Sequence, residues 1–150
     1  MGVLYCYYAA DDDQDAARAI VREDGAPSGA GYDQVVVKGI DPMVELATAE
    51  ALIMGREREE IVADPRRCAL VAMVGDGEVA AVSLTDVFRD ELARVDASLL
   101  PDVAAGWARS PGAFYKAPEP DALAGFLADL AALASRALAG QRHLYCWICP

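Results

Sequence analysis

The residues with the most chemical potential lie at the end of the chain, where Cys146-Trp147-Ile148-Cys149 has the C-x-x-C spacing of dithiol redox and zinc motifs. Such a pair works when it opens a helix, whose N-terminus lowers the pKa of one thiol. Here the surrounding run, His143-Leu144-Tyr145-Cys146-Trp147-Ile148, is apolar and aromatic and predicts a buried strand. Strand alternation sends Cys146 and Cys149 to opposite faces, which prevents them from chelating one metal ion. Packing is therefore the expected role of these thiols. Any thiol redox chemistry would have to use Cys6, Cys146 or Cys149, and the similarity of the two end segments predicts Cys6 and Cys146 on the same sheet face.

Asp11-Asp12-Asp13-Gln14-Asp15 has the letters D-D-x-x-D, a spacing used elsewhere to hold magnesium against diphosphate, but no second acidic motif accompanies it. Read as a calcium loop, Asp11, Asp13 and Asp15 supply three ligand positions, yet Ala16 replaces the required Gly and Arg22 the bidentate Glu. The run is the expected start of a helix, with one Asp as cap and the others facing the positive end of the helix dipole. His143 is the single histidine and has no nucleophile setting around it, which disfavours a Ser-His or Cys-His hydrolase. The glycines from Gly25 to Gly31 lack the Lys-Ser/Thr and the helix start of a phosphate-binding loop, so they predict a linker. No catalytic residue is assigned, and no metal or cofactor is expected.

The aromatic residues carry the ligand-binding candidates. Alternation within Leu4-Tyr5-Cys6-Tyr7 and Leu144-Tyr145-Cys146-Trp147 predicts Tyr5, Tyr7, Tyr145 and Trp147 on one face and the small and aliphatic residues on the other. That aromatic face is either a second core layer or the floor of an apolar pocket, bordered by Trp107, Phe114 and Tyr115. Six residues form the candidate site: Tyr5, Tyr7, Trp107, Tyr115, Tyr145 and Trp147.

Thirteen basic residues stand against 24 acidic ones, a net charge of -11. Such a surface repels phosphate backbones and anionic membranes, which disfavours nucleic-acid binding, and it steers basic partners inward. Eleven of the 13 basic residues are Arg and Ala is abundant, a pattern that fits a GC-rich coding bias. No positively charged leader precedes an apolar core, and no apolar stretch is expected to reach the about 18 residues of a membrane span, so a cytoplasmic location is predicted. Four cysteines in apolar surroundings suit reduced thiols.

These residues must be positioned by a mixture of strands and helices. A strand over residues 3–8 leads into a helix over 13–23, a loop over 25–31 and a strand over 34–38. Asp41-Pro42 reads as cap and first residue of a helix ending at Met54, with Gly55 as its left-handed stop. A short helix over 57–63 precedes a hairpin with arms 68–74 and 78–84, whose apolar arms predict cover on both faces. Thr85 caps a helix over 86–95, a further helix covers 99–108, and Leu123, Phe126, Leu127, Leu130, Leu133, Ala134, Ala137 and Leu138 mark the longest one, 120–139. Without regular strand-helix alternation, the expected class is α+β: one domain over 1–150, with a mixed β-sheet of about five strands on about five helices and the N- and C-terminal strands adjacent and central.

Met1-Gly2-Val3-Leu4-Tyr5-Cys6-Tyr7-Tyr8, the middle segment Gly39-Ile40-Asp41-Pro42 leading into a helix that ends at Gly55, and the terminal long helix followed by a strand together resemble YfbM-type proteins. Those are small bacterial α+β proteins of about this length, whose family is a domain of unknown function. The same features resemble an uncharacterised group of actinobacterial proteins. The Cys-rich tail departs from the YfbM-like pattern. The resemblance implies the fold and carries over no site residue.

Missing catalytic machinery, strong acidity and the aromatic strands together point to a non-enzymatic binding protein, with a basic protein or a small apolar ligand as its partner. The alternative is a small-molecule enzyme or thiol redox protein using the strand cysteines.

Overall fold

The computed structural model describes residues 3–20, 31–75, 78–116 and 118–149, with the side chain of Cys149 outside that description. The expected loop over 25–31, apart from Gly31, and the expected last turn of the first helix also lie outside it. Five strands form one sheet in the order β2-β1-β5-β4-β3: β1 Leu4–Ala10, β2 Gln34–Lys38, β3 Leu70–Val74, β4 Val79–Ser83 and β5 His143–Cys149. The strands from the two ends of the chain, β1 and β5, are adjacent and central, as the sequence predicts. Every pairing is antiparallel, whereas a mixed sheet was expected. The reason is the connectivity: β3 and β4 form a hairpin, and each crossover between the other neighbours reverses the chain.

Six helices complete the described part: α1 Asp13–Ile20, α2 Glu45–Met54, α3 Arg58–Val62, α4 Asp86–Arg94, α5 Leu100–Arg109 and α6 Pro120–Ala139. Their ends follow local chemistry. Thr85 accepts from the Phe88 N–H at 3.1 Å and caps α4. Gly55, at φ 63°, ends α2 in the left-handed conformation that favours glycine. Asp41 does not cap α2 directly. Its side chain takes the Met43 N–H at 2.7 Å and its carbonyl the Leu46 N–H at 3.1 Å, a preceding turn that delays the helix to Glu45.

Residues paired across an antiparallel ladder share a face, so the register sorts the core into two layers. Tyr5, Tyr7 and Ala9 lie beside Ile148, Cys146 and Leu144, and the helices α2, α4, α5 and α6 cover them. Cys6, Tyr8 and Ala10 lie beside Trp147, Tyr145 and His143, and α1 covers part of that second face with Ala16 and Ala19.

Helix α6 supplies the largest apolar stripe, burying Leu123, Phe126, Leu127, Leu130, Leu133, Ala134 and Ala137. Each large side chain there contributes roughly 1.5–3 kcal/mol by leaving water. At 20 residues and a mean hydropathy of 1.5, α6 is long and apolar enough to cross a membrane by length and composition, which corrects the expectation that no stretch reaches that size. In this fold its apolar stripe packs on the sheet, α4 and α5.

The hairpin also departs from expectation. Its first arm, β3, is an edge strand, and Leu70 and Met73 are 58% and 49% exposed, because the helix layer stops short of it.

Candidate functional site

A cleft of about 410 Å³ opens where the N-termini of α1 and α4 meet the start of β5. Helix α1 brings Asp12, Asp13 and Gln14, β5 brings His143 and Tyr145 from its α1-covered face, α4 begins with Asp86, and Arg66 arrives from the turn before β3. Both helices start here because acidic first-turn residues complement their dipoles.

Asp13 organises the cleft. Arg66 grips its carboxylate with both terminal nitrogens, one of them at 2.8 Å, and the Tyr145 hydroxyl donates to Oδ1 at 2.8 Å. The Arg66 guanidinium, ahead of Tyr145, holds the Asp13 carboxyl below the usual carboxylate range. Burial, with the hydrogen bond to Asp13 next and then its charge, drives the Tyr145 phenol upward, so it serves as a donor at neutral pH. Opposite them, His143 Nδ1 lies 2.7 Å from Asp86 Oδ1, an oxygen also approached at 3.4 Å by Arg89. That contact fixes the imidazole ring and leaves Nε2 as its other polar atom. The lining contains three carboxylates, one guanidinium and one imidazole, and no Ser, Thr or Cys to act as a nucleophile. The arrangement offers charged groups and hydrogen-bonding groups to whatever enters it. A neighbouring hollow of about 360 Å³ holds Asp11 with Arg142 at 3.2 Å, and Asp15 with the Tyr32 hydroxyl at 2.7 Å. Among the described residues, no group of three or more His, Cys, Asp or Glu is arranged to hold a metal ion.

The aromatic candidates are not brought together. Tyr5 and Tyr7 lie on the face under the helices, Tyr145 and Trp147 on the face under α1, which corrects the expected single aromatic face. The cause is the register: Tyr5 faces Ile148 and Tyr7 faces Cys146, so the two similar segments meet one residue out of phase. The same offset sets Cys6 opposite Trp147 and separates it from Cys146, against the expected shared face.

Most of these rings are packed and internally bonded. Tyr5 donates to Asp41 Oδ2 at 3.3 Å, Tyr7 to the Ile40 carbonyl at 2.6 Å and Trp107 Nε1 to the Glu45 carbonyl at 2.9 Å. Trp107 also packs on Phe114 and Phe126, with centroids 5.2 and 6.3 Å away. Tyr115 is fully exposed, apart from the others. Trp147 Nε1 is buried and has no hydrogen-bond partner among the described residues.

Sequence reasoning placed His143 only as a polar strand start and missed Arg66 and Asp86. The period-2 relation of His143 to Tyr145 was the available signal for one wall. No sequence spacing connects Arg66 with Asp13, 53 residues away.

No family model matches the chain, and no curated protein matches it. Among solved structures, it is similar to YfbM from Escherichia coli, a protein of unknown function. That match covers 97% of this chain and 99% of the other, at a TM-score of 0.47 and 9% identity. The likeness agrees with the resemblance drawn from the sequence and brings no site residue with it.

Proposed function

We propose that the protein is a non-enzymatic acidic binding protein whose recognition surface is the Asp12-Asp13-Asp86 cleft, and that its partner is a basic segment of another protein. The observation that carries this reading is the cleft's charge. Asp12, Asp13 and Asp86 line it, with Arg66 on Asp13 and Arg89 reaching Asp86 from outside the lining, on a chain whose net charge is -11. A lysine or arginine side chain entering the cleft would meet Asp12 and Asp86, while the chain's overall field would speed its approach. A small apolar ligand is less favoured, because Tyr5, Tyr7 and Trp107 are packed inside the core. Thiol redox chemistry is also less favoured: burial pushes Cys6 up to about 12 and Cys146 well above the usual thiol range. A bacterial and cytoplasmic setting, within the actinobacteria, suits this reading and is supported by the Arg-rich, Ala-rich composition and the buried free thiols.

The test is titration of isotopically labelled protein with a short oligolysine peptide at low and high salt. Shifts should centre on Asp12, Asp13, Asp86 and His143, fade at high salt, and weaken at least tenfold in an Asp12→Asn, Asp86→Asn variant. Binding that ignores both changes, or no binding at low salt, defeats the proposal.

A further inference from the structure

Strand β2 is the edge of the sheet opposite β3, with β1 on one side and no strand on the other. Its register decides which backbone groups are engaged. Asp33 accepts from the Ala9 N–H at 3.1 Å and the Gly39 N–H reaches the Val3 carbonyl at 3.3 Å, so residues 33, 35, 37 and 39 turn their backbone groups toward β1. Gln34, Val36 and Lys38 turn theirs outward. The Asp33 carboxylate takes the Gln34 N–H. Among the described residues, the N–H groups of Val36 and Lys38 and the Val36 carbonyl have no partner. The Val36 side chain is 55% exposed, so this stretch of the edge is open.

Beside the edge lies a groove of about 360 Å³, bounded by Gln34, Val35 and Val36 on one side and by Asp129, Ala132 and Arg136 of α6 on the other. A sheet edge next to a helix flank can accept an extended peptide as an added strand, with main-chain bonds to the edge and alternate side chains toward the helix. The charges decide which peptide fits. Asp33 holds Arg136 at 2.6 and 2.9 Å, which leaves Asp129 as the lining carboxylate with no cation bonded to it among the described residues. A second copy of this chain fits poorly. Pairing β2 with β2 about Val36 would turn Val35 and Val37 toward Asp129 and bring together two chains of net charge -11.

We propose that this groove takes an extended basic segment of another protein, which adds to β2 as a further strand. The segment's backbone bonds both the N–H and the carbonyl of Val36, and a further bond meets the Lys38 N–H. The residue opposite Val36 shares its face and is apolar. Its neighbours in the segment point to the α6 side, where a lysine or arginine meets Asp129. The groove shares no residue with the Asp12-Asp13-Asp86 cleft, so this proposal goes beyond that reading and does not depend on it.

The probe is an end-blocked peptide of three Val-Lys repeats, titrated into isotopically labelled protein. Its control is the same peptide N-methylated at the valines, which keeps the charge and loses the edge bonds. At saturation the first peptide should raise the hydrogen-exchange protection of the Val36 and Lys38 amides by at least about tenfold, and the second should not. Asp129→Asn, at an exposed position, should weaken binding of the first peptide about threefold or more. Asp12→Asn, Asp86→Asn should leave the response of Val36 and Lys38 in place. Unchanged protection, an equal response to both peptides, unaltered affinity in Asp129→Asn, or loss of the response in the cleft variant overturns the proposal. Protection that grows with protein concentration in the absence of peptide would give the edge to a second copy and overturn it as well.

Discussion

Tyr8 and Tyr145 face each other across the central strand pair, with ring centroids 5.8 Å apart and planes inclined by 35°. Each ring turns its hydroxyl to α1: Tyr8 donates to the Ala16 carbonyl at 2.8 Å, Tyr145 to Asp13 at the helix start. These two bonds fix how α1 sits on the sheet, and hence the wall of the cleft. Tyr8→Phe leaves a buried carbonyl short of a donor and should cost about 1–2 kcal/mol. Tyr145→Phe should cost about 1 kcal/mol, since Asp13 keeps Arg66 and is partly exposed. Urea unfolding checks both, and either change proving neutral would remove the hydroxyl from this role.

Trp107 and Tyr115, grouped together by sequence, should separate cleanly by mutation. Trp107 is fully buried between Phe114 and Phe126, and Tyr115 is fully exposed. Trp107→Ala should destabilise by about 3–5 kcal/mol, and Tyr115→Ala by no more than about 0.5 kcal/mol. Thermal and urea unfolding of the two variants provide the comparison.

The contrast shows how much the sequence could convey. Helix α6 and strands β2 and β5 were legible because a stripe such as Leu123, Phe126, Leu127 and Leu130 is a local pattern, set by one helix against one core. The pairing register was not. Leu4-Tyr5-Cys6-Tyr7 and Leu144-Tyr145-Cys146-Trp147 look alike, but likeness says nothing of phase, and a shift of one residue moves every side chain to the other face. The cleft was illegible for a related reason. Asp13, Arg66, Asp86 and His143 are each ordinary helix-start, turn or strand-start residues, and only the topology brings them within bonding distance.

Buried thiols should be inert. Burial pushes Cys6 up to about 12 and Cys68 up to about 11, and Cys146 lies well above the usual range. In a Cys68→Ser, Cys149→Ser background at pH 7.5, which removes the half-buried Cys68, an aromatic disulfide reagent should label Cys6 and Cys146 at the rate of unfolding, and rapidly only in denaturant. Fast labelling of either in the native protein would revive the redox alternative.

Arg136 anchors α6 to the chain before β2 through Asp33, at 2.6 and 2.9 Å. The Arg136 guanidinium holds the Asp33 carboxyl below its ordinary value. A lowered folded-state pKa contributes stability above the ordinary Asp range, near pH 3.9, that is lost as pH falls through the lowered value. Arg136→Gln should therefore lower the urea midpoint at pH 7 slightly and merge with the wild-type curve in strong acid. High salt should shrink the difference, because both side chains are partly exposed.

Strand β3 leaves the sheet with an open edge, where Leu70 and Met73 show apolar side chains to solvent. Such an edge invites pairing with another chain, and proteins commonly blunt it with lysine or a bulge. A register irregularity between Leu70 and Ala72 bends this edge, but neither exposed side chain is charged. Leu70→Lys and Met73→Lys remove little buried surface, so each should change stability by no more than about 0.5 kcal/mol. Their effect should appear in association instead: the double variant should stay dispersed at concentrations where the wild-type chain scatters light. If the wild-type chain stays equally dispersed, the bulge is sufficient protection by itself. A loss of several kcal/mol would mean that Leu70 and Met73 belong to the core under the helices, as their shared face with Val82 and Ala80 would otherwise suggest.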